Sequence, residues 1–338
     1  MTEGVGFRFG KLSVDKVPDV YDDEVLEMSQ FYQDLAKELG ENELSRQQSI
    51  QQFRDWIAKH PHIKRCRTDA PFLLRFLRTK KYSFIQAAKT LESYLVARTK
   101  HRKWFNNLDI DEPELSGLID ACYLFPLPRL DSNGRAVFFS CSSGFDANKN
   151  TVIGPIKAIH MLGEIFYETN EAQCAGCVWI FDMELIDMNA LGLITVQDIR
   201  TLAELVNTAA AARIRELHFI NTPAVARTIA NLVLQLMSDK IRSRVFCHAS
   251  LGDLHSKVDK TLLPKEFGGE IPAAELAASY KDLCRKMRPR LLTLDEMEIE
   301  LTDNPNSVWT NGEGLEEGAI GSFRKLSSCE NFLDLVAE

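Results

Sequence analysis

The residues of this sequence best suited to chemistry are a group of cations. The stretch "SDKIRSRV", residues 238–245, holds Lys240, Arg242 and Arg244 beside a single aspartate. Over residues 213–244, six Lys and Arg side chains accompany two acidic ones, which gives a local charge of +4. Such a group can attract anions. The alternative is a solvated helix end, where Lys and Arg stabilise the negative end of the helix dipole.

The known patterns for catalysis and metal binding are missing from the sequence. It has no P-loop, no dinucleotide-binding glycine pattern after a strand and no nucleophile elbow. Its histidines and cysteines do not have zinc spacing, and Cys174 with Cys177 forms a single C-x-x-C, which is weak evidence for redox chemistry. His160 and His218 are interpreted as structural histidines. We therefore predict a protein that is not an enzyme and uses no metal or cofactor.

Charge and apolar content bound the class of protein. The 338 residues include 40 Lys and Arg against 48 Asp and Glu. Residues 295–338 hold 11 acidic and two basic residues, a net charge of −9, so the remainder is close to neutral. No stretch reaches the ~20 apolar residues that span a bilayer, no signal peptide is recognisable, and the eight cysteines are scattered. These features predict a cytosolic protein without a disulfide framework.

Two kinds of region follow one another along the chain. Residues 21–105 have helical periodicity, with a first helix in "YDDEVLEMSQFYQDLAKELG" ending near Gly40. From about residue 120, short apolar segments alternate with helical ones, and the strand candidates are "RAVFFSC", "CVWIFDM", "IRELHFIN" and "RVFCHA". This alternation predicts an α/β domain with a mostly parallel sheet, because parallel strands need crossover connections. A closing helix is predicted over 272–289.

One predicted helix is apolar on more than one side. In "TPAVARTIANLVLQLM", Thr222 is the expected cap and Pro223 the first helical residue. Apolar residues then spread over much of the circumference of 224–237. One face can pack on the domain while another contacts a removable apolar ligand or a membrane. The cations of "SDKIRSRV" follow this helix directly.

Three separated motifs carry a family resemblance. "FLLRFLRTKKYSFIQAAKTLESYLVAR" (72–98), "FINTPAV" (219–225) and "LLPKEFGGEIP" (262–272) occur in this order. They resemble the helical segment, the strand-to-gate junction and the terminal signature of the CRAL-TRIO lipid-binding family. Within that family the chain is most similar to the branch of alpha-tocopherol transfer protein and cellular retinaldehyde-binding protein. The resemblance implies a mostly parallel sheet that floors an apolar cavity under a mobile gate helix at about 223–245, preceded by a helical N-terminal domain.

The resemblance and the composition of the two ends together predict domain boundaries, and the resemblance also implies differences in pocket shape. The expected segments are a flexible N-terminus (1–20), a helical domain (21–110), the lipid-binding domain (111–290) and an acidic, flexible tail (291–338). Leu185 in "DMEL" stands where the family often has glycine, so this turn is expected to differ. Ala210 and Ala226 stand where tocopherol carriers have aromatic side chains, so the pocket is expected to be wider or differently shaped.

The resemblance also implies site residues. A phosphoinositide-binding group is assigned to basic positions beside the gate: Arg213, Arg215, Lys240, Arg244 and Lys80. A hydrophobic ligand pocket is assigned to apolar or small residues on the sheet, its flanking helices and the gate: Ile156, Ile159, Gly163, Cys177, Phe181, Leu202, Leu205, Val206, Leu217, Leu232 and Val233. Ordinary core packing is the alternative for each pocket residue.

Three functions remain open from the sequence. The first is a cytosolic carrier that binds one tocopherol-like, retinoid-like or similar lipid and exchanges it at phosphoinositide-containing membranes, on which it is transiently peripheral. The second is a phosphoinositide-binding trafficking adaptor with a vestigial pocket. The third is an enzyme using Asp182, Glu184 or Cys177, for which no nucleophile–base pair is recognisable. Nucleic acid is not an expected partner, and the acidic tail is hypothesised to shield the cations.

Overall fold

The structure, a computed structural model, describes residues 2–302 apart from the side chains of Val225, Thr228, Ile229 and Leu232. The α-helices are α1 (Gln30–Glu38), α2 (Glu43–Lys59), α3 (Ala70–Thr79), α4 (Phe84–Lys100), α5 (Arg102–Phe105), α6 (Pro113–Asp120), α7 (Ile153–Phe166), α8 (Asn170–Cys174), α9 (Met188–Gly192), α10 (Val196–Glu204), α11 (Ala224–Leu236), α12 (Asp239–Arg242), α13 (Leu251–His255) and α14 (Ala273–Thr293). The strands are β1 (Ile63–Arg65), β2 (Leu124–Pro126), β3 (Ala136–Cys141), β4 (Cys177–Asp182), β5 (Ile214–Ile220), β6 (Val245–Cys247) and β7 (Glu298–Ile299). A π-helical turn, Leu205–Ala209, continues α10.

A five-stranded sheet forms the centre of the second half of the chain. Its strand order is β2-β3-β4-β5-β6. The edge strand β2 runs antiparallel to β3, and every other neighbouring pair is parallel. Helices connect the parallel strands, as crossover connections require. The predicted α/β fold with a mostly parallel sheet is therefore confirmed, and each of the four strand candidates contains a strand.

Local capping explains where several predicted helices begin. In α3, the Asp69 side chain accepts a hydrogen bond from the Phe72 amide, and Pro71 lies in the first turn. The predicted cap of α11 is wrong by one residue, because Pro223 occupies the N-cap and the Thr222 hydroxyl has no hydrogen-bond partner among the described residues. The closing helix α14 runs four residues past its predicted end, with Pro289 inside it.

The first predicted helix is shorter in the structure. Helix α1 covers only the second half of 21–40. The preceding residues are held instead by tertiary contacts: the Arg54 guanidinium lies 3.8 Å from the Tyr21 ring centroid and donates hydrogen bonds to Asp23. Helix propensity is a weak preference, and such contacts override it. The C-terminal end agrees with prediction, since Gly40 has a φ of +95° beyond the helix.

Both ends of the described chain pack on other parts of the molecule. Residues 2–20 contain no helix, but Val14 is buried and its carbonyl accepts a hydrogen bond from the Cys66 amide at 2.8 Å. Beyond α14, strand β7 pairs antiparallel with β1, where Ile299 faces Ile63. The strand formed by residues 298–299 therefore completes a two-stranded sheet with the helical region near the start of the chain.

Buried ion pairs join the helical region to the sheet domain. Arg75 of α3 donates to Glu164 of α7 at 2.8 Å, and Arg78, which is paired with Glu41 inside the helical region, also donates to Gln173 of α8 at 2.8 Å. Arg67, just before α3, is ion-paired with Glu168, which follows α7. Each of these arginines is almost fully buried. A buried charge is costly unless paired, so these contacts fix how α3 sits between the two parts.

Candidate functional site

Six cations from separate parts of the chain form what we call the cation cluster: Lys80, Lys81, Arg213, Arg215, Lys240 and Arg244. The Arg213 guanidinium donates to the Arg78 carbonyl at 3.3 Å, which brings the start of β5 to the end of α3. Burial lowers the pKa of Lys240, and repulsion from Arg244, Lys80, Arg213 and Lys81 adds to this effect. The structure thus brings together all five basic residues predicted from sequence, with Lys81 in addition.

Backbone carbonyls hold the three arginines of the cation cluster in place. Arg215 Nε donates to the Ala175 carbonyl at 2.8 Å, and Arg244 Nη1 donates to the Ile214 carbonyl. Each guanidinium has five donors, so several remain available beyond these contacts. Arginines fixed in this way lose less conformational entropy when they bind an anion.

Among the described residues, the cation cluster has no acidic partner in direct contact, although the Glu38 carboxylate lies near enough to act on Arg213 and Arg215. Within residues 2–302, no carboxylate forms an ion pair with any of its six members. Burial and repulsion from Arg215 and Arg244 lower the pKa of Arg213 to about 10, and burial with Arg244 lowers the pKa of Arg215. Arg242 differs from its neighbours because it is ion-paired with Asp239. The two cations of "SDKIRSRV" predicted for the site are thus the two that lack such a pair.

A glycine allows the strand carrying the arginines to approach its neighbour. Gly176 has a φ of +98°, in the region that side chains rarely adopt. A Cβ atom there would lie 2.3 Å from the Arg213 carbonyl oxygen and 2.9 Å from the Arg215 Cγ. Only glycine therefore fits between α8 and the two arginines.

The inner face of the sheet, defined by Trp179, Phe181, Leu217 and Phe219, is apolar. The register of β4 and β5 pairs Trp179 with Leu217 and Phe181 with Phe219, so all four point to the same side. The rings of Phe181 and Phe219 stack with centroids 5.1 Å apart. Phe181, Leu217 and Phe219 retain accessible surface although they lie on interior strands. This face therefore offers apolar surface that the protein leaves partly uncovered.

The other predicted pocket residues lie on flanking helices, except Cys177 at the start of β4, and fall into two groups. The first group keeps accessible surface and comprises Ile159, Leu202, Val206 and Val233. The second is buried and comprises Ile156, Gly163, Cys177 and Leu205. The space beside Gly163 is taken by the Tyr167 ring, since a Cβ there would lie 2.9 Å from it. Leu232 is one of the side chains outside the description. A separate cavity of about 140 Å³ is lined by other residues, among them Pro126, Ile271 and Tyr280.

Helix α11 is fastened at both ends by amide side chains. At its start, Asn221 has a φ of +53° and donates to the Asp182 carboxylate at 2.8 Å. At its end, Asn207 donates to the Leu236 carbonyl and accepts from the Ser238 amide, both at 3.1 Å. Asn207 lies in the π-helical turn, a geometry frequent at functional sites. The Asn207 contacts are exposed, so they can break at modest cost.

We expect Asn207→Ala to loosen the end of α11. The variant loses two hydrogen bonds, together worth about 1–3 kcal/mol, so amides in the last turn of α11 should exchange with deuterium at least about fivefold faster. Peptide-level hydrogen exchange measures this directly. Asn148→Ala, which removes an exposed asparagine on another loop, is the control and should leave α11 unchanged. Equal exchange rates in the two variants would contradict the role of Asn207 in holding the end of α11.

The enzyme hypothesis finds no support in these contacts. Asp182 is buried and accepts from Asn221 and from the Cys141 thiol, so it serves the turn before α11. Burial raises the pKa of Cys177 to about 12, which makes its thiol unreactive. His218 is buried between Glu216 and His248, at 3.0 and 2.8 Å, as a structural histidine. No group of three metal-ligating side chains occurs in the described part of the chain.

Several site residues were not identified from sequence. Lys81 was overlooked although it directly follows Lys80 in "TKKY". Trp179 and Phe219 alternate with predicted pocket residues, so the strand period of two could have identified them. Asn207 carries no sequence signal, because its role depends on a π-helical turn that meets a helix distant in sequence.

Fold and site together define an α/β lipid-binding-type domain with a partly accessible apolar sheet face, a helix, α11, that is fastened at both ends, and a cation cluster. Comparison with known proteins agrees. The CRAL/TRIO domain family matches residues 120–269, and the Pinta-like UBA domain family matches residues 42–115. The chain belongs to the CRAL-TRIO family and carries its lipid-binding domain.

Individual relatives extend over most of the chain. Clavesin-1 of Xenopus laevis is 30% identical over 247 residues, covering 73% of this chain and 74% of that protein. Clavesin-1 of Rattus norvegicus is 31% identical over 250 residues, with 73% and 70% covered. Clavesin-2 of Homo sapiens is 28% identical over 247 residues, with 73% and 76% covered. The crystal structure of Sfh5 superposes with a TM-score of 0.44 at 10% identity, covering 75% of this chain and 92% of that one.

Two further predictions concern the class of activity and the absence of a membrane-spanning helix. CRAL-TRIO proteins bind and carry lipids, which is the class of activity predicted from sequence. Within the described residues, none of the helices combines the length and the apolar character needed to cross a bilayer.

Proposed function

We propose that this chain is a cytosolic carrier that binds one hydrophobic small molecule against the inner face of the sheet and exchanges it at membranes containing phosphoinositides. The ligand in this proposal is tocopherol-like, retinoid-like or a similar lipid. The protein is peripheral on the membrane only during exchange. The observation that carries the proposal is the cation cluster beside the end of α11, which has no ion pair within residues 2–302.

The cation cluster has the chemistry of a phosphate-binding surface. Arginines can grip phosphate oxygens in a bidentate way, and lysines add point charges. Each cation near an anionic bilayer gains about 1 kcal/mol. Because the cluster joins Lys80 and Lys81 to four cations of the sheet domain, it forms a concentrated patch on a chain whose net charge is −8. A headgroup with several phosphates fits such a patch better than a singly charged one.

The inner face supplies the driving force for binding a lipid. Burying each CH₂ group gains about 0.8 kcal/mol. A ligand of about a dozen carbons therefore gains roughly 10 kcal/mol, enough to offset the cost of immobilising it. The partly accessible side chains of Phe181, Leu217 and Phe219 are the surface on which it would lie.

Helix α11 and the cation cluster are joined through the backbone. Helix α11 ends at Leu236, and Lys240 lies shortly after it in the chain, in the short helix α12. An anion that pulls on Lys240 and Arg244 therefore acts on the segment that Asn207 holds. This supports the hypothesis that docking on a phosphoinositide opens α11 and couples ligand exchange to the membrane.

The decisive experiment is to identify what the purified protein binds. Organic extraction followed by mass spectrometry should recover one lipid per chain. Leu217→Trp, which fills the inner face, should reduce that occupancy at least tenfold, whereas Leu185→Trp at an exposed position should not. A protein that yields no lipid and takes up no retinoid, tocopherol, sterol or phospholipid would refute the carrier. If it still binds phosphoinositide vesicles, the adaptor with a vestigial pocket is the better account.

A further inference from the structure

One polar side chain among the apolar residues of the proposed pocket has no partner for its buried nitrogen. His160 lies on α7, next to Ile159 and one turn from Ile156 and Gly163. Its Nε2 atom is buried without a hydrogen-bond partner among the described residues. On one side the ring packs on Phe105, with centroids 4.1 Å apart.

His160 lies in a largely enclosed environment. The residue as a whole retains some accessible surface, while its Nε2 atom is buried. Burial is nevertheless the largest cause that lowers the pKa of His160, to about 4, so the imidazole is neutral at pH 7. An unpaired buried polar group costs about 1–3 kcal/mol, and such a group in a native protein calls for an explanation.

We propose that His160 is the polar anchor of the lipid pocket and hydrogen-bonds an uncharged hydroxyl or carbonyl group on the ligand. The inference rests on the proposed carrier function and narrows its ligand to lipids with such a group. A hydroxyl can pair with either tautomer of the imidazole, and a carbonyl pairs with a protonated Nε2. A pure hydrocarbon would leave Nε2 unpaired.

The charges around His160 disfavour an acidic ligand. The charged groups that face it are Glu164, one turn further on α7, Arg98 on α4 and Arg75 on α3. Arg75 is committed to Glu164 at 2.8 Å, and Arg98 donates to the Phe105 carbonyl at 3.1 Å. A ligand carboxylate would thus be a second buried negative charge near Glu164, opposite a neutral imidazole, and burying an unpaired charge is costly.

Fluorescent polyene lipids that differ only in their polar end test the anchor. The probes are cis-parinaryl alcohol, methyl cis-parinarate, cis-parinaric acid and the octadecatetraene hydrocarbon, titrated into the full chain freed of bound lipid. The wild-type protein should prefer the alcohol or the ester over both the acid and the hydrocarbon by at least fivefold. His160→Phe keeps the ring packing on Phe105 and should weaken binding of the preferred probe about five- to tenfold, with no loss for the hydrocarbon.

Two comparisons keep the test decisive. His160→Gln retains a donor and an acceptor and should bind the preferred probe more tightly than His160→Phe does. If His160→Phe does not fold, the wild-type preference among the four probes still decides. Equal wild-type affinity for all four probes, or an unchanged profile in a folded His160→Phe, overturns the anchor and leaves the carrier intact. Failure of every probe to bind the wild-type chain overturns the carrier function and the anchor with it.

Discussion

Replacing Arg213, Arg215, Lys240 and Arg244 with alanine in one variant is expected to weaken binding to phosphoinositide-containing vesicles about a hundredfold or more. Each cation near an anionic surface contributes about 1 kcal/mol, and four together contribute about 4 kcal/mol. Vesicle co-sedimentation of the full chain measures the change. Wild-type binding should weaken steeply as salt rises, because the interaction is screened, and the variant should lose that dependence.

A matched pair of single variants separates the cation cluster from general positive charge. Lys240 and Arg242 lie two residues apart on α12, but only Arg242 is ion-paired, with Asp239. Lys240→Ala should weaken vesicle binding about fivefold. Arg242→Ala should have a smaller effect, since its charge is already offset. Equal losses from both variants would indicate non-specific attraction, and wild-type binding by the fourfold variant would refute the docking surface.

Glu168→Ala is expected to destabilise the fold by about 3–5 kcal/mol, because it leaves buried arginines without their partner. Glu168 is ion-paired with Arg67 and accepts from Arg290 at 2.7 Å. Arg67 keeps Asp69, at 2.9 Å, but the only ion pair of Arg290 within residues 2–302 is with Glu168. Denaturant unfolding measures the loss. Glu184→Ala, an exposed position, is the control and should change stability by less than about 0.5 kcal/mol.

Two further measurements identify the cause of that loss. Glu168→Leu combined with Arg290→Met removes both charges and should recover much of the stability, whereas simple loss of packing would add the two effects. The pKa of Glu168 is about 2, below its unfolded value of 4.5, owing to Arg67 and Arg290. Its stabilising contribution is therefore complete above about pH 5 and is lost as the pH falls towards 2. An equal pH dependence in Glu168→Ala would contradict this assignment.

Sequence patterns predicted the elements of this fold better than their boundaries. Strands β3, β4 and β5 appear as predicted, because buried parallel strands are nearly continuous apolar runs that polar loops delimit. Helix α1 was predicted too long, since Tyr21 and Asp23 of that segment are held by contacts with Arg54. The pairing of β1 with β7 could not be predicted from the sequence, because no local pattern links two short segments that lie more than 230 residues apart.

The residues of the candidate site also differ in how well the sequence predicted them. The basic residues were recognisable because charge clusters are visible in a sequence, and the structure brings the predicted five together. Pocket residues were harder to predict, because apolarity does not distinguish a core from a cavity wall. Gly163 illustrates this, as the Tyr167 ring fills the space beside it. His160 was interpreted as structural, and only its three-dimensional surroundings show that Nε2 is unpaired.

The pairing of β1 with β7 has a consequence for how this protein can be divided. The match to the CRAL/TRIO domain ends at residue 269. Beyond it, Arg290 donates to Glu168, just after α7, and Ile299 pairs with Ile63 of β1. A fragment that ends at residue 269 would leave the edge of β1 unpaired and would leave Glu168 without Arg290. The helical region and the sheet domain therefore depend on the segment beyond residue 269. Only a chain that retains residues up to at least 299 preserves the pairing of β1 with β7 and the ion pair of Glu168 with Arg290.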